Sequence, residues 1–81
     1  MIPKVTDEAT VKMLGGKLAQ TIVQIIGKKE GKKMDKKQIK KELRKRLLEK
    51  SIENNAKIIV FSPKVKKVPE GWEQKAFLYR K

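Results

Sequence analysis

Residues 6–27 read TDEATVKMLGGKLAQTIVQIIG, and how this stretch folds decides what the rest of the chain can build. Val11, Leu14, Leu18, Ile22 and Ile25 recur at spacings of three, four, four and three. At about 100° per residue they fall in a narrow arc, which Ala19 and Ile26 widen. Lys12, Lys17, Gln20, Gln24 and Lys28 fall on the far side. The spacing predicts an amphipathic helix N-capped by Thr6, with Asp7 and Glu8 at the positive end of its dipole. Gly15-Gly16 sits inside it, at about 1 kcal/mol per glycine relative to alanine. Two explanations stay open: a close backbone approach at Gly15, or a break that leaves residues 6–14 as a separate short helix. Gly27 is a natural C-terminal stop. Met13 and Val23 lie off the arc, as surface residues or as the seam of a homodimer.

Beyond Gly27 the chain becomes strongly cationic. Doublets recur every four residues: Lys28-Lys29, Lys32-Lys33, Lys36-Lys37, Lys40-Lys41 and Arg44-Lys45. Between Lys28 and Lys50 twelve cations face four carboxylates, within a chain of net charge +13. On a helix, residues four apart are neighbours, and like charges there repel by a few tenths of a kcal/mol, about 0.2–0.5 per pair. A fold gains nothing from such a ladder, whereas a polyanion would. Residues 28–33 read as a charged loop around Gly31, and Asp35 as the cap of a second helix. Ile39, Leu43 and Leu47 share one face of it, while Leu48 and Ile52 lie roughly opposite Ile39. Residues 35–54 are therefore either one continuous helix or two short ones joined near Arg44–Arg46. The lack of Gly or Pro there favours one.

The C-terminal third reads as strand. Ile58, Ile59, Val60 and Phe61 form an apolar run that Ser62-Pro63 stops, and Pro69-Glu70-Gly71 is a turn. Trp72–Arg80 supplies a second strand that pairs antiparallel with the first around a basic loop spanning residues 63–71. The expected fold is α+β, a single basic domain over residues 1–81: two or three N-terminal helices followed by a C-terminal antiparallel β-hairpin. A cationic helix ahead of a hairpin with a lysine-rich tip resembles the winged-helix arrangement in element order and charge. That resemblance implies a recognition helix beside a wing that grips neighbouring backbone.

Composition narrows the chemistry. The chain has neither cysteine nor histidine, so thiolate, disulfide and imidazole chemistry and the usual zinc sets are missing. Ser51 and Ser62 have no recognisable base partner, and the nine carboxylates are scattered. The run Gly27-Lys-Lys-Glu-Gly31-Lys32-Lys33 lacks both the glycine spacing and the Ser/Thr of a phosphate loop. No enzyme, cofactor or metal is implied. The first residues carry no apolar signal core, and no apolar run reaches membrane-spanning length, so a cytoplasmic setting without a membrane partner is expected.

A balance this basic points to nucleic acid, DNA ahead of RNA. The residues expected to hold phosphates are Lys36, Lys37, Lys40, Lys41, Arg44, Lys45, Arg46 and Lys50 on the helix, with Lys64, Lys66 and Lys67 at the hairpin tip. Lysine contacts phosphate well but reads bases poorly, which leaves Gln38, Arg44, Asn54 and Asn55 as candidate base readers. The leading expectation is a small DNA-binding regulator. The alternatives are an RNA- or ribosome-associated module, and a non-enzymatic interaction or inhibitor protein docking on an acidic partner. Of the four aromatics, Phe61, Trp72, Phe77 and Tyr79, the last two alternate in phase and serve the core or a stacking surface, while Trp72 beside the turn packs against lysine stems or clamps the hairpin.

Overall fold

The computed structural model describes residues 2–80, in the order β1 (Lys4–Val5), α1 (Glu8–Met13), β2 (Lys17–Gly27), α2 (Lys28–Gly31), α3 (Lys36–Glu53), β3 (Ile58–Phe61), β4 (Lys66–Val68) and β5 (Gly71–Arg80). The chain is α+β, with three helices and one five-stranded sheet. The order of helices and strands is not the expected one. Over Lys17–Gly27 the expected first helix is an eleven-residue strand. A strand thus takes the place of the leading helix and joins the hairpin's own sheet, so the helices-then-hairpin order of a winged helix is not found.

The physical reason lies in residue type. Thr21, Ile22, Val23, Ile25 and Ile26 are β-branched, which restricts them in a helix and suits a pleated surface. A separation of four, as between Ile22 and Ile26, is about one helical turn and also two strand repeats, so that spacing fits both periods. A register shift between Leu18 and Gln20 adds to the ambiguity: Leu18 lies opposite Tyr79, Gln20 opposite Leu78. The break at the glycine pair is real, with Gly15 at φ +71° just beyond α1. Asp7 rather than Thr6 caps that short helix, its Oδ1 accepting the Thr10 N–H at 2.7 Å. Hydrogen bonds from Thr10, the backbone one foremost, hold the Asp7 carboxyl below its ordinary pKa. The cap's contribution is therefore present above the unfolded-state pKa and is lost as pH falls through the depressed folded value.

The expected pairing of β3 with β5 exists, embedded in a larger sheet, but the span 63–71 is not a plain loop: Lys66–Val68 forms the further strand β4. Along one side β5 pairs antiparallel with β2 for the full length of both. On its other side it pairs with β3 through Ala76–Tyr79 and with β4 through Gly71–Glu73. Ser62 bridges the gap between those partners: its N–H donates to Lys75 O at 2.9 Å, and its carbonyl accepts from buried Gln74 Nε2 at 2.9 Å. β1 adds parallel to β3 at the edge. Strands β2 and β3 thus run parallel on either side of β5, joined through α2 and α3 as a split β-α-β unit.

One continuous helix spans Lys36–Glu53, with no turn near Arg44–Arg46. Its buried row is Ile39, Leu43, Leu47 and Ser51, each four residues on from the last. Leu47 packs with Ile22, Ile59, Ala76 and Leu78, while Ile39 and Leu43 pack with Ile26, Met34, Val65 and Trp72. Leu48 reaches the same core from its flank, and Ile52 stays 38 % exposed. On the opposite face of the sheet, α1 places Val11 against Ile58 and Val60. No helix among the described residues is long and apolar enough to cross a membrane.

Two glycines are needed for close approach. A Cβ on Gly71 would lie 2.0 Å from Ile26 O, and its φ of +147° suits glycine alone. The segment expected to be a loop around Gly31 is instead α2, whose last residue lies against the Trp72 indole. A Cβ there would come within 2.0 Å of Trp72 Cζ3, whereas one on Gly27 would meet nothing within 4 Å.

Two outcomes follow for stability, read from urea denaturation. Leu47→Ala is expected to cost about 2–5 kcal/mol, and Ile52→Ala less than about 1 kcal/mol; equal losses would contradict the packing of α3. Gly31→Ala is expected to destabilise by about 1–3 kcal/mol through overpacking, although alanine is the better helix former. Gly27→Ala should stay within about 0.5 kcal/mol of the parent, and a stabilised Gly31→Ala protein would refute the Trp72 contact.

Candidate nucleic-acid interface

The four-residue beat of the doublets becomes two adjacent rows on α3. Lys36, Lys40 and Arg44 form one row, and Lys37, Lys41 and Lys45 the other. All six side chains are exposed. The first row runs along the flank nearest β3 and β4. Lys36 and Lys40 line a groove with Val65, Lys67 and Trp72, and the Arg44 guanidinium carbon lies 5.3 Å from the Phe61 ring centroid. The second row lies on the side of α3 away from its buried residues. Lys33, from the turn after α2, joins Lys41 and Lys45 around a shallow depression there, which Glu42 also borders. Among the described residues no carboxylate lies within 4.0 Å of any of these six amino or guanidinium groups.

The other flank of the helix is electrostatically closed. Arg46 binds Glu30 of α2 and, at 3.1 Å, Glu42 one turn back. The Glu30 hydrogen bond leads in raising the Arg46 pKa above its already high ordinary value. Lys50 Nζ donates to Val23 O at 3.0 Å on the free edge of β2. Arg46 and Lys50, expected at the phosphate face, are thus committed to holding α3 against α2 and β2.

The hairpin lysines border two depressions. Within β4, side chains alternate across the sheet: Lys67 lies opposite Trp72 and Lys66 opposite Glu73. Lys67 therefore joins Lys36 and Lys40 on the helix side. Lys64 and Lys66 line an open cleft with Lys75 and Glu73, and Lys67 borders that cleft as well as the groove. All three tip lysines thus meet at one cleft, and their cations wrap around the outer edge of β4. Lys33 and Lys75 are additions that the sequence did not single out. Lys33 belonged to the ladder but to an apparent loop, and Lys75 showed no signal until the β5 register placed it beside the cleft.

Three of the four candidate base readers have structural duties. Gln38 completes a capping box: its Oε1 accepts the Asp35 N–H at 3.2 Å, while Asp35 Oδ1 accepts the Gln38 N–H at 2.8 Å. Asn54 Nδ2 donates to Lys50 O at 2.7 Å, and Asn55 adopts φ +56° just past the helix end. Arg44 remains, over Phe61. The surface that results carries a cation about every 6 Å along each row, the rise of four helical residues. Of the four candidate base readers only Arg44 stands on this surface without a capping duty.

No known protein family matches this chain, and comparison with curated proteins and with solved structures returns no match.

Proposed function

We propose that this chain is a small, non-enzymatic nucleic-acid-binding protein, for DNA ahead of RNA, that holds the phosphate backbone without reading sequence. The observation that carries the reading is the pair of unneutralised rows on one side of α3. Like charges four apart on a helix repel, so both rows weaken the helix that bears them. A polyanion offsets that cost and releases its own counterions on binding. Lys33 and Lys67 extend the positive surface on either side of the helix. In this reading α3 meets phosphates side-on, with its inner face held by the sheet, and the cations at the edge of β4 take the backbone where it passes the hairpin. Caps occupy Gln38, Asn54 and Asn55, which is why binding is expected to discriminate little between sequences.

Salt titration tests the reading. Six phosphate contacts imply an affinity loss on the order of 10³-fold between 50 and 200 mM salt. Reversal of Lys37, Lys41 and Lys45 together to glutamate is expected to remove measurable binding to DNA and RNA at 100 mM salt. The same change at Lys4, Lys17 and Lys57, which are exposed elsewhere, should weaken it only modestly. Equal effects of the two triples would sink the α3 surface as the contact site, and a flat salt dependence would sink phosphate binding altogether.

A second measurement separates function from stability. Lys41→Glu converts two repulsive four-residue pairs into attractive ones and is expected to raise stability by about 0.8–2 kcal/mol while weakening binding. A variant that loses both would mean that Lys41 has a structural role.

A further inference from the structure

The groove between α3 and β4 differs from the rest of the cationic surface. It has a volume of about 370 Å³, at the small end of ligand-sized pockets. Its floor is apolar, formed by Ile39, Val65 and Trp72, and its polar lining is three lysines, Lys36, Lys40 and Lys67, with no carboxylate. A site for phosphate alone has no use for an indole floor. A ligand that fits both parts is flat and apolar in its middle and anionic at its ends.

Trp72 is also held in place. Gly31 lies against its six-membered ring so closely that no side chain fits between, and β5 pairs the residue with Ile26 on one side and Lys67 on the other. The ring is thus set before any ligand arrives. Further along the same flank, Arg44 covers Phe61, so a second aromatic with its own cation follows the first. From Lys36 to Arg44 the helix rises about 12 Å.

We infer that this flank is a track for single-stranded nucleic acid: one base stacks against Trp72 while its neighbouring phosphates bind Lys36, Lys40 and Lys67, and Arg44 on Phe61 takes the adjoining nucleotide. The inference rests on the nucleic-acid reading above and specifies the form of its ligand. Base faces are free for stacking in a single strand and covered in a duplex. Stacking tolerates every base, in agreement with the capping duties of Gln38, Asn54 and Asn55.

Trp72 is the chain's sole tryptophan, so its fluorescence reports on the groove directly. The unaltered protein is titrated at 100 mM salt with a 12-nucleotide oligothymidine, an abasic phosphodiester of equal length, a duplex and thymidine monophosphate. Saturable quenching by oligothymidine is expected, with affinity about 5- to 100-fold above that of the abasic chain, the range of one stacked base. The duplex should bind more weakly than oligothymidine and leave the fluorescence nearly unchanged. Trp72 packs in the core, so the variant of choice is Lys36→Gln with Lys67→Gln, which keeps the reporter; it should reduce the preference for oligothymidine over duplex at least threefold. Equal affinity for the oligomer and the abasic chain, with unchanged fluorescence, would overturn the track and leave the phosphate-binding reading standing. Saturation by thymidine monophosphate at the oligomer's affinity would make the groove a mononucleotide site and also overturn it. Binding of none of the four would remove the nucleic-acid reading itself.

Discussion

Hydrogen bonding on both sides of β5 is the constraint on which the rest of the molecule depends. Strands β2 and β3 do not touch each other in the sheet; each is joined to the other only through β5. The crossover that includes α3 therefore has a continuous floor only once the last strand of the chain has inserted between them. Gly71 makes the insertion possible at one end, where the backbone passes close to Ile26. Ser62 and Gln74 close the point at which β5 changes partner from β3 to β4. With the floor in place, Ile39, Leu43 and Leu47 fix the roll of α3, and the roll decides where its cations point.

A repeat of four residues serves two purposes on that helix. Because one turn holds 3.6 residues, each step of four drifts about 40° around the axis. The apolar row from Ile39 to Ser51 drifts this way along the sheet, and the cationic rows drift in parallel beside it. Lys36 and Lys40 begin next to Trp72, and Arg44 has moved on to Phe61. On the opposite flank Glu42, the helix's one ion-paired carboxylate among the described residues, helps Glu30 to neutralise Arg46. Charge is thus sorted across the helix: one flank is closed by ion pairs and a hydrogen bond to β2, and the other is left unpaired.

The outer side of the molecule is different in character. From Leu18 to Gly27 the edge strand β2 has no charged residue, although the chain as a whole is rich in them. Along it Leu18, Val23 and Ile25 remain substantially exposed. An edge of this kind is open to pairing with other strands. Lys50 guards its middle by placing an ammonium on the Val23 carbonyl. The same lysine that looked like a phosphate ligand in the sequence thus protects the sheet.

What the sequence by itself determined was local: the α3 helix with its Asp35 cap, the strand at Ile58–Phe61, the turn at Pro69–Gly71, the closing strand, and the uneven distribution of charge. Each depends on neighbours within a few residues, so capping, turn chemistry and apolar runs were enough to read them. Residues 17–27 were not legible in this way, because Ile22 and Ile26 satisfy a helix and a strand alike, and the choice depends on a partner strand more than forty residues away in sequence. The same holds for the candidate interface. The cations were visible one by one, but which of them are free was settled by contacts between distant segments: Arg46 with Glu30, Lys50 with Val23, Lys67 with the Trp72 groove. A side chain's charge is written in its residue type, whereas its neighbours exist only after β5 has brought the two ends of the chain together.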